Sequence, residues 1–252
     1  MGIYLRAQPG DYAERVLVAG DPARLTRLAH QLDEPRVVNE HRGLVGFTGS
    51  YRGVAVSIQA TGMGCPSMAM VGEELLAYGV RRMVRIGTCS SFAAGVCNGD
   101  VIVVSGSAAA DGATRSYTGG GPWAAVPDFG LTSTLVDAVR ALQIPMHVGP
   151  VVTVDVEPHM TDQTAARWRE NGLLAVEMES AVLFYLAQRA SSRGPQRVEA
   201  ACVLTVSDGL EGHPDGDQLY MSDQELEAAT DRMHAAALDA ITTPLGEASG
   251  VQ

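Results

Sequence analysis

The feature that most limits how this chain can fold is a recurrence of short β-branched apolar runs, each followed by glycine or a small polar residue. They are RVLVAGD (15–21), VAVSIQATGMG (54–64), MVRIGTCSS (83–91), DVIVVSGSAAADG (100–112), VGPVVTVD (148–155) and ACVLTVSDG (201–209). Segments with helical periodicity lie near 23–32, 67–79, 131–142, 161–171, 177–190 and 222–241. Strands alternating with helices predict a layered α/β fold. Ligands in such folds collect beyond the carboxyl ends of the strands, where these glycine-rich exits fall. NEHRGLVGFTGSYRG (39–53) predicts a hairpin turning near 50–53. No linker divides the chain, so the expectation is one domain over 1–245, with 246–252 as a frayed tail.

Charge narrows the function classes. Eighteen Lys plus Arg stand against 29 Asp plus Glu, a net charge of −11, which argues against general affinity for nucleic acid or anionic membrane. A local cluster of arginines binding a small anion remains open. Cys65, Cys89, Cys97 and Cys202 have no metal-ligand spacing. No signal peptide and no bilayer-spanning run is evident, and the expectation is a reduced, cytoplasmic protein.

One stretch is chemically awkward. LLAVEMESAVLF (173–184) reads as a helix buried nearly all round, yet it carries Glu177 and Glu179. Buried carboxylates are costly unless something satisfies them. Arg85 poses the converse problem inside the strand-like VRIGTCSS: it keeps its charge and needs an anion, whether a substrate or an internal salt bridge. In AGDPARL, Arg24 stands at a helix start where free N–H groups would suit an oxyanion, although an Asp-Pro turn capping the helix explains the motif too. The two glycines of ATGMGCPS suggest close backbone approach, or a tight turn. Asp208 closes the run LTVSDG, placed either for general acid work or as a turn former.

Taken in order, GDPAR, HRGLVGFTG, TGMGCPS, RIGT, VEMES and TVSD resemble the nucleoside phosphorylases of the trimeric and hexameric type, nearest the bacterial purine branch, over about residues 7–240. The resemblance implies a single α/β domain, a twisted mixed sheet partly closed into a barrel and flanked by helices. It also implies homohexamers, trimers of dimers, with active sites shared between neighbours.

By that resemblance Gly20, Arg24, Arg85 and Thr88 hold inorganic phosphate, with Arg42 arriving from the adjacent subunit. Glu179 accepts from the ribose hydroxyls, Met178 and Met63 pack the sugar, and Tyr4 reaches the neighbour's ribose. Glu177 orients the ribose site or caps a helix end. Ser90, Val176, Ser207 and the Glu157 segment surround the base, and Asp208 protonates the purine. No metal or organic cofactor is implied; phosphate is a co-substrate.

Three positions depart from the family pattern. Tyr4 stands where a His is usual. Glu157-Pro158 replaces an aromatic pair in the base pocket, forfeiting apolar contact worth about 1 kcal/mol. Residues 198–231 contain no Lys or Arg, whereas the family carries an Arg that closes over the catalytic Asp. Competing readings are a pyrimidine (uridine-type) phosphorylase, a hydrolytic nucleosidase, and a non-catalytic nucleoside-binding protein.

Overall fold

The computed structural model describes residues 2–156, 162–209 and 220–245. Nine strands form one sheet in the order β2-β3-β4-β1-β5-β8-β7-β6-β9, with β9 returning to pair with β5. They are β1 (Arg15–Ala19), β2 (Asp33–Asn39), β3 (Gly46–Tyr51), β4 (Val54–Ala60), β5 (Arg82–Ser91), β6 (Val101–Ala109), β7 (Met146–Thr153), β8 (Ala175–Glu177) and β9 (Glu199–Gly209). The pairings β5–β8, β8–β7, β7–β6, β6–β9 and β9–β5 close a five-stranded ring. The other four strands form an open arm attached to β5 through β1. Closure on one side leaves only the arm with a free edge.

Seven helices among the described residues cover this sheet: α1 (Pro22–Ala29), α2 (Cys65–Ala77), α3 (Gly112–Thr118), α4 (Phe129–Ala141), α5 (Asp162–Glu170), α6 (Ser180–Arg193) and α7 (Asp223–Ile241). Alternation along β1 shows how the layers divide. Val16 and Val18 join the cluster packed against α2 and α6, whereas Leu17 and Ala19 join the one packed against α1, α4 and α7. Successive strand side chains point to opposite faces, so one short strand serves both cores.

Several expectations hold. The hairpin is β3–β4, with Tyr51 opposite Val54 and Arg52-Gly53 at φ 50° and 79° in its tight turn. Two elements escape a periodicity reading. The first is β2, mostly exposed and carrying Pro35, which pairs only with β3 as an edge strand. The second is β8, three residues long. The second miss moves the awkward carboxylates: the helix expected from 177 begins at Ser180, and Glu177 ends a strand while Glu179 occupies the junction.

Strand β5 positions the site. One of its edges pairs with β1 through Arg85 and with β8 only from Ser90 onward. Between these points the neighbouring strands diverge and open a crevice beside 86–89, which is the geometry that places ligands at a topological switch.

Candidate active site

A cavity of about 440 Å³ fills this crevice. Twelve of the residues singled out from sequence line it: Gly20, Arg24, Met63, Arg85, Thr88, Ser90, Val176, Glu177, Met178, Glu179, Ser207 and Asp208. Asp21, Pro22, Gly87 and Cys89 complete the lining. Glu157 lies outside the described residues, as does the stretch 210–219 following Asp208.

At the cationic end, Arg24 and Arg85 converge from α1 and β5, each at most 8% exposed. Arg24 Nη1 donates to the Ile86 carbonyl at 3.4 Å. Burial lowers the Arg24 pKa; Asp21 opposes that shift and Arg85 adds to it. Of the two readings of AGDPARL, the Asp-Pro cap holds: Asp21 accepts from Ala23 N at 2.9 Å and Arg24 N at 3.3 Å, so those N–H groups are already used. An anion here therefore depends on guanidinium groups more than on that helix terminus. Close approach explains Gly20, where a Cβ would meet the Gly62 carbonyl oxygen at 3.2 Å. Gly87 is more tightly constrained, since a Cβ would lie 2.8 Å from Arg85 Cζ and 2.8 Å from Leu204 Cδ2. The Arg85 guanidinium folds over residue 87, the next position on the same face of β5.

The two carboxylates have different partners. Glu179 Oε1 accepts from Gly64 N at 2.5 Å, and its Oε2 pairs with Arg85 Nη2. Gly64, at φ 86°, lies in the ATGMGCPS turn whose close approach the sequence suggested, and the group approached is this carboxylate. Burial pushes the Glu179 carboxyl upward, Arg85 opposes it, and the charge of Glu177 adds to it. For Arg85 burial works against the charge, but Glu179 and Glu177 outweigh it and raise the pKa.

Glu177 is the more heavily engaged of the two. Its carboxylate accepts from Glu179 N at 2.9 Å, Ser180 N at 2.9 Å, Ser180 Oγ at 2.7 Å, Arg85 Nε at 3.1 Å, and Thr153 Oγ1. With a wholly buried side chain and these lone pairs engaged, it caps the start of α6, the helix-end role that the sequence allowed for it. Thr153, which holds it from β7, carried no signal in sequence.

At the opposite end stands Asp208, aimed by a β-bulge. Cys89 pairs with Val206 but Ser90 with Asp208, so Ser207 is the extra residue. Ser207 Oγ lies 2.7 Å from Asp208 Oδ1 and 3.2 Å from the Cys89 carbonyl oxygen. Met178 and Val176 belong to an apolar group with Phe92, whose ring sits 5.9 Å from that of Trp168.

Tyr4 and Arg42 do not line this cavity in their own chain. They line an adjoining hollow of about 700 Å³ that shares Met63 and Met178 with it. The pair forms one unit, with the Arg42 guanidinium 5.8 Å from the Tyr4 ring centre. Glu74 accepts from the backbone N–H groups of Ile3, Tyr4 and Leu5, and Asn39 ties Arg6 N to the Leu44 carbonyl. Arg42 itself sits at φ 60°, a conformation that costs a non-glycine residue about 1 kcal/mol and gathers at functional sites. Met63, 81% exposed, stands between the two hollows.

Among the described residues no group of three or more His, Cys, Asp or Glu side chains is arranged to hold a metal ion. No helix among them is long and apolar enough to cross a membrane.

Two buried arginines, a sunken carboxylate and a strand-end Asp surround one crevice, and the mixed sheet closed into a five-stranded barrel and flanked by helices is a nucleoside phosphorylase-like fold. The chain belongs to the phosphorylase superfamily, whose sequence profile matches residues 14–242. Among its relatives, a "purine nucleoside phosphorylase DeoD-type" from Myxococcus xanthus is 36% identical over 238 residues, covering 94% of this chain and 95% of its own. A protein of the same description from Caldanaerobacter subterraneus subsp. tengcongensis is 36% identical over 212 residues, 83% of this chain and 89% of its own. A "guanosine phosphorylase" from Halorubrum lacusprofundi is 35% identical over 244 residues, 95% and 97% of the two chains.

Proposed function

We propose that the protein cleaves the N-glycosidic bond of purine ribonucleosides or deoxyribonucleosides with inorganic phosphate, releasing free purine and the pentose 1-phosphate. The convergence of Arg24 and Arg85 on a cavity that also holds Glu179 carries this reading. Breaking the C1′–N9 bond leaves positive charge on the sugar and an electron pair on the purine. Phosphate held by guanidinium groups beneath the sugar serves as nucleophile and counter-charge, forming the new C1′–O bond. Glu179 accepts from the ribose hydroxyls, and Asp208 gives a proton to the purine at N7, making it a better leaving group.

Arg42 and Tyr4, in this reading, complete the site of a neighbouring copy, which requires at least a dimer and fits a hexamer built as a trimer of dimers. Inorganic phosphate is the co-substrate and no metal or organic cofactor takes part. A cytoplasmic setting is consistent with four cysteines that form no disulfide.

The test is a panel of inosine, guanosine, adenosine, their deoxy forms and uridine, assayed with and without phosphate. Turnover of purine nucleosides only with phosphate is expected. Equal rates without phosphate would establish a hydrolase, preference for uridine the pyrimidine activity, and binding without turnover a non-catalytic protein.

A further inference from the structure

We propose that Glu177 is a positioning residue that sets the affinity for phosphate by fixing the guanidinium of Arg85; the inference rests on phosphate being the nucleophile. Arg85 meets two carboxylates at different N–H groups, Nε–H directed to Glu177 and Nη2 to Glu179. A guanidinium is planar and presents its donors in a rigid fork. Holding Nε on Glu177 therefore fixes which edge faces the cavity, and the Nη groups not spent on Glu179 remain for an anion. Glu177 can act as this anchor because it is itself held from two elements, by Thr153 at the end of β7 and by the first N–H groups and the Ser180 hydroxyl of α6. The helix terminus also favours its negative charge. Glu177 thus joins the barrel wall to the phosphate end of the cavity.

Gln in place of Glu177 keeps the size but puts an amide N–H against the donors of Ser180 or Arg85, so one clamp must open. The experiment is Glu177→Gln beside wild type, with the KM for phosphate and for nucleoside measured separately and inorganic phosphate binding followed by calorimetry without nucleoside. The phosphate KM and Kd are expected to rise about 10–100-fold, the loss of a charge-assisted hydrogen bond, with a smaller change in nucleoside KM. Thr153→Val, nearly isosteric, is expected to move the phosphate values the same way by a smaller factor, and it supplies the test if Glu177→Gln fails to fold. A nucleoside KM that rises as much as the phosphate KM, or phosphate values unchanged in both variants, would overturn the proposal while leaving phosphorolysis intact. Wild-type protein that binds no phosphate and cleaves nucleosides with water would instead remove the proposed function itself.

Discussion

Arg85 and Glu179 form an ion pair in the cavity wall, both almost fully buried and both facing the space where substrates would meet. Each supplies the counter-charge that makes the other's burial tolerable. Under the proposed function, the pair would keep a phosphate donor and a sugar acceptor in fixed relation before either ligand arrives.

Glu179→Ala should remove the sugar acceptor and leave the Gly64 N–H and one edge of Arg85 without a partner. A fall in kcat/KM of about 10²–10³-fold is expected, roughly 3–4 kcal/mol of transition-state stabilisation. Steady-state kinetics on inosine would check it, and a loss below threefold would deny Glu179 any role at the sugar.

Gly87→Ala should act through Arg85. The new methyl collides with the guanidinium and with Leu204, so Arg85 must swing or β5 must part from β9. A rise in phosphate KM together with about 1–3 kcal/mol of destabilisation is expected. Urea unfolding and phosphate titration measure the two effects, and an unchanged phosphate KM would contradict the packing described.

Asp208→Asn should slow adenosine cleavage by about 10²–10⁴-fold, since the amide cannot deliver a proton. A nucleoside with a leaving group that needs no protonation should suffer far less. Equal losses on both would assign Asp208 to binding alone.

Arg42→Ala and Glu179→Ala, each weakly active alone, should complement one another when coexpressed and assembled together. A mixed assembly holds some sites with intact residues from both copies. Activity no greater than the sum of the separate variants would show that Arg42 serves no neighbouring site.

His234 should make stability depend on acidity. It is wholly buried on α7, with no hydrogen-bond partner at either ring nitrogen among the described residues and the Asp231 carboxylate 3.5 Å from Nδ1. Burial, then Arg24 and Arg27, push its pKa down from 6.5 to about 3. The unfolded chain takes up the proton first as pH falls, so this contribution is complete above pH 6.5 and is lost progressively toward pH 3. The effect is on the order of a few kcal/mol. Urea unfolding at pH 7 and 4.5 should show a smaller drop for His234→Leu than for wild type; equal drops would refute the assignment.

Much of the architecture was legible because it rests on local preferences. Apolar runs ending in glycine marked strand exits, and a tight turn marked the β3–β4 hairpin. Arginines beside those exits marked the cationic end of the cavity. Thr153 and the true start of α6 were not legible in that way. A three-residue strand leading into a buried helix looks like continuous helix when only periodicity is read. The exposed edge strand β2 has too little apolar patterning to stand out.

The sequence by itself determined which residues prefer strand, turn or helix, and where buried charge would need an answer. Only the tertiary structure decided what answered it. Arg85 meets Glu177 across 92 residues of chain, and Gly64 meets Glu179 across 115. Those pairings come from β5 leaving β1 for β8 and from the barrel closing through β9. Hydrogen bonds act over a few ångströms of space, and sequence spacing carries no measure of that distance once the chain has crossed several strands.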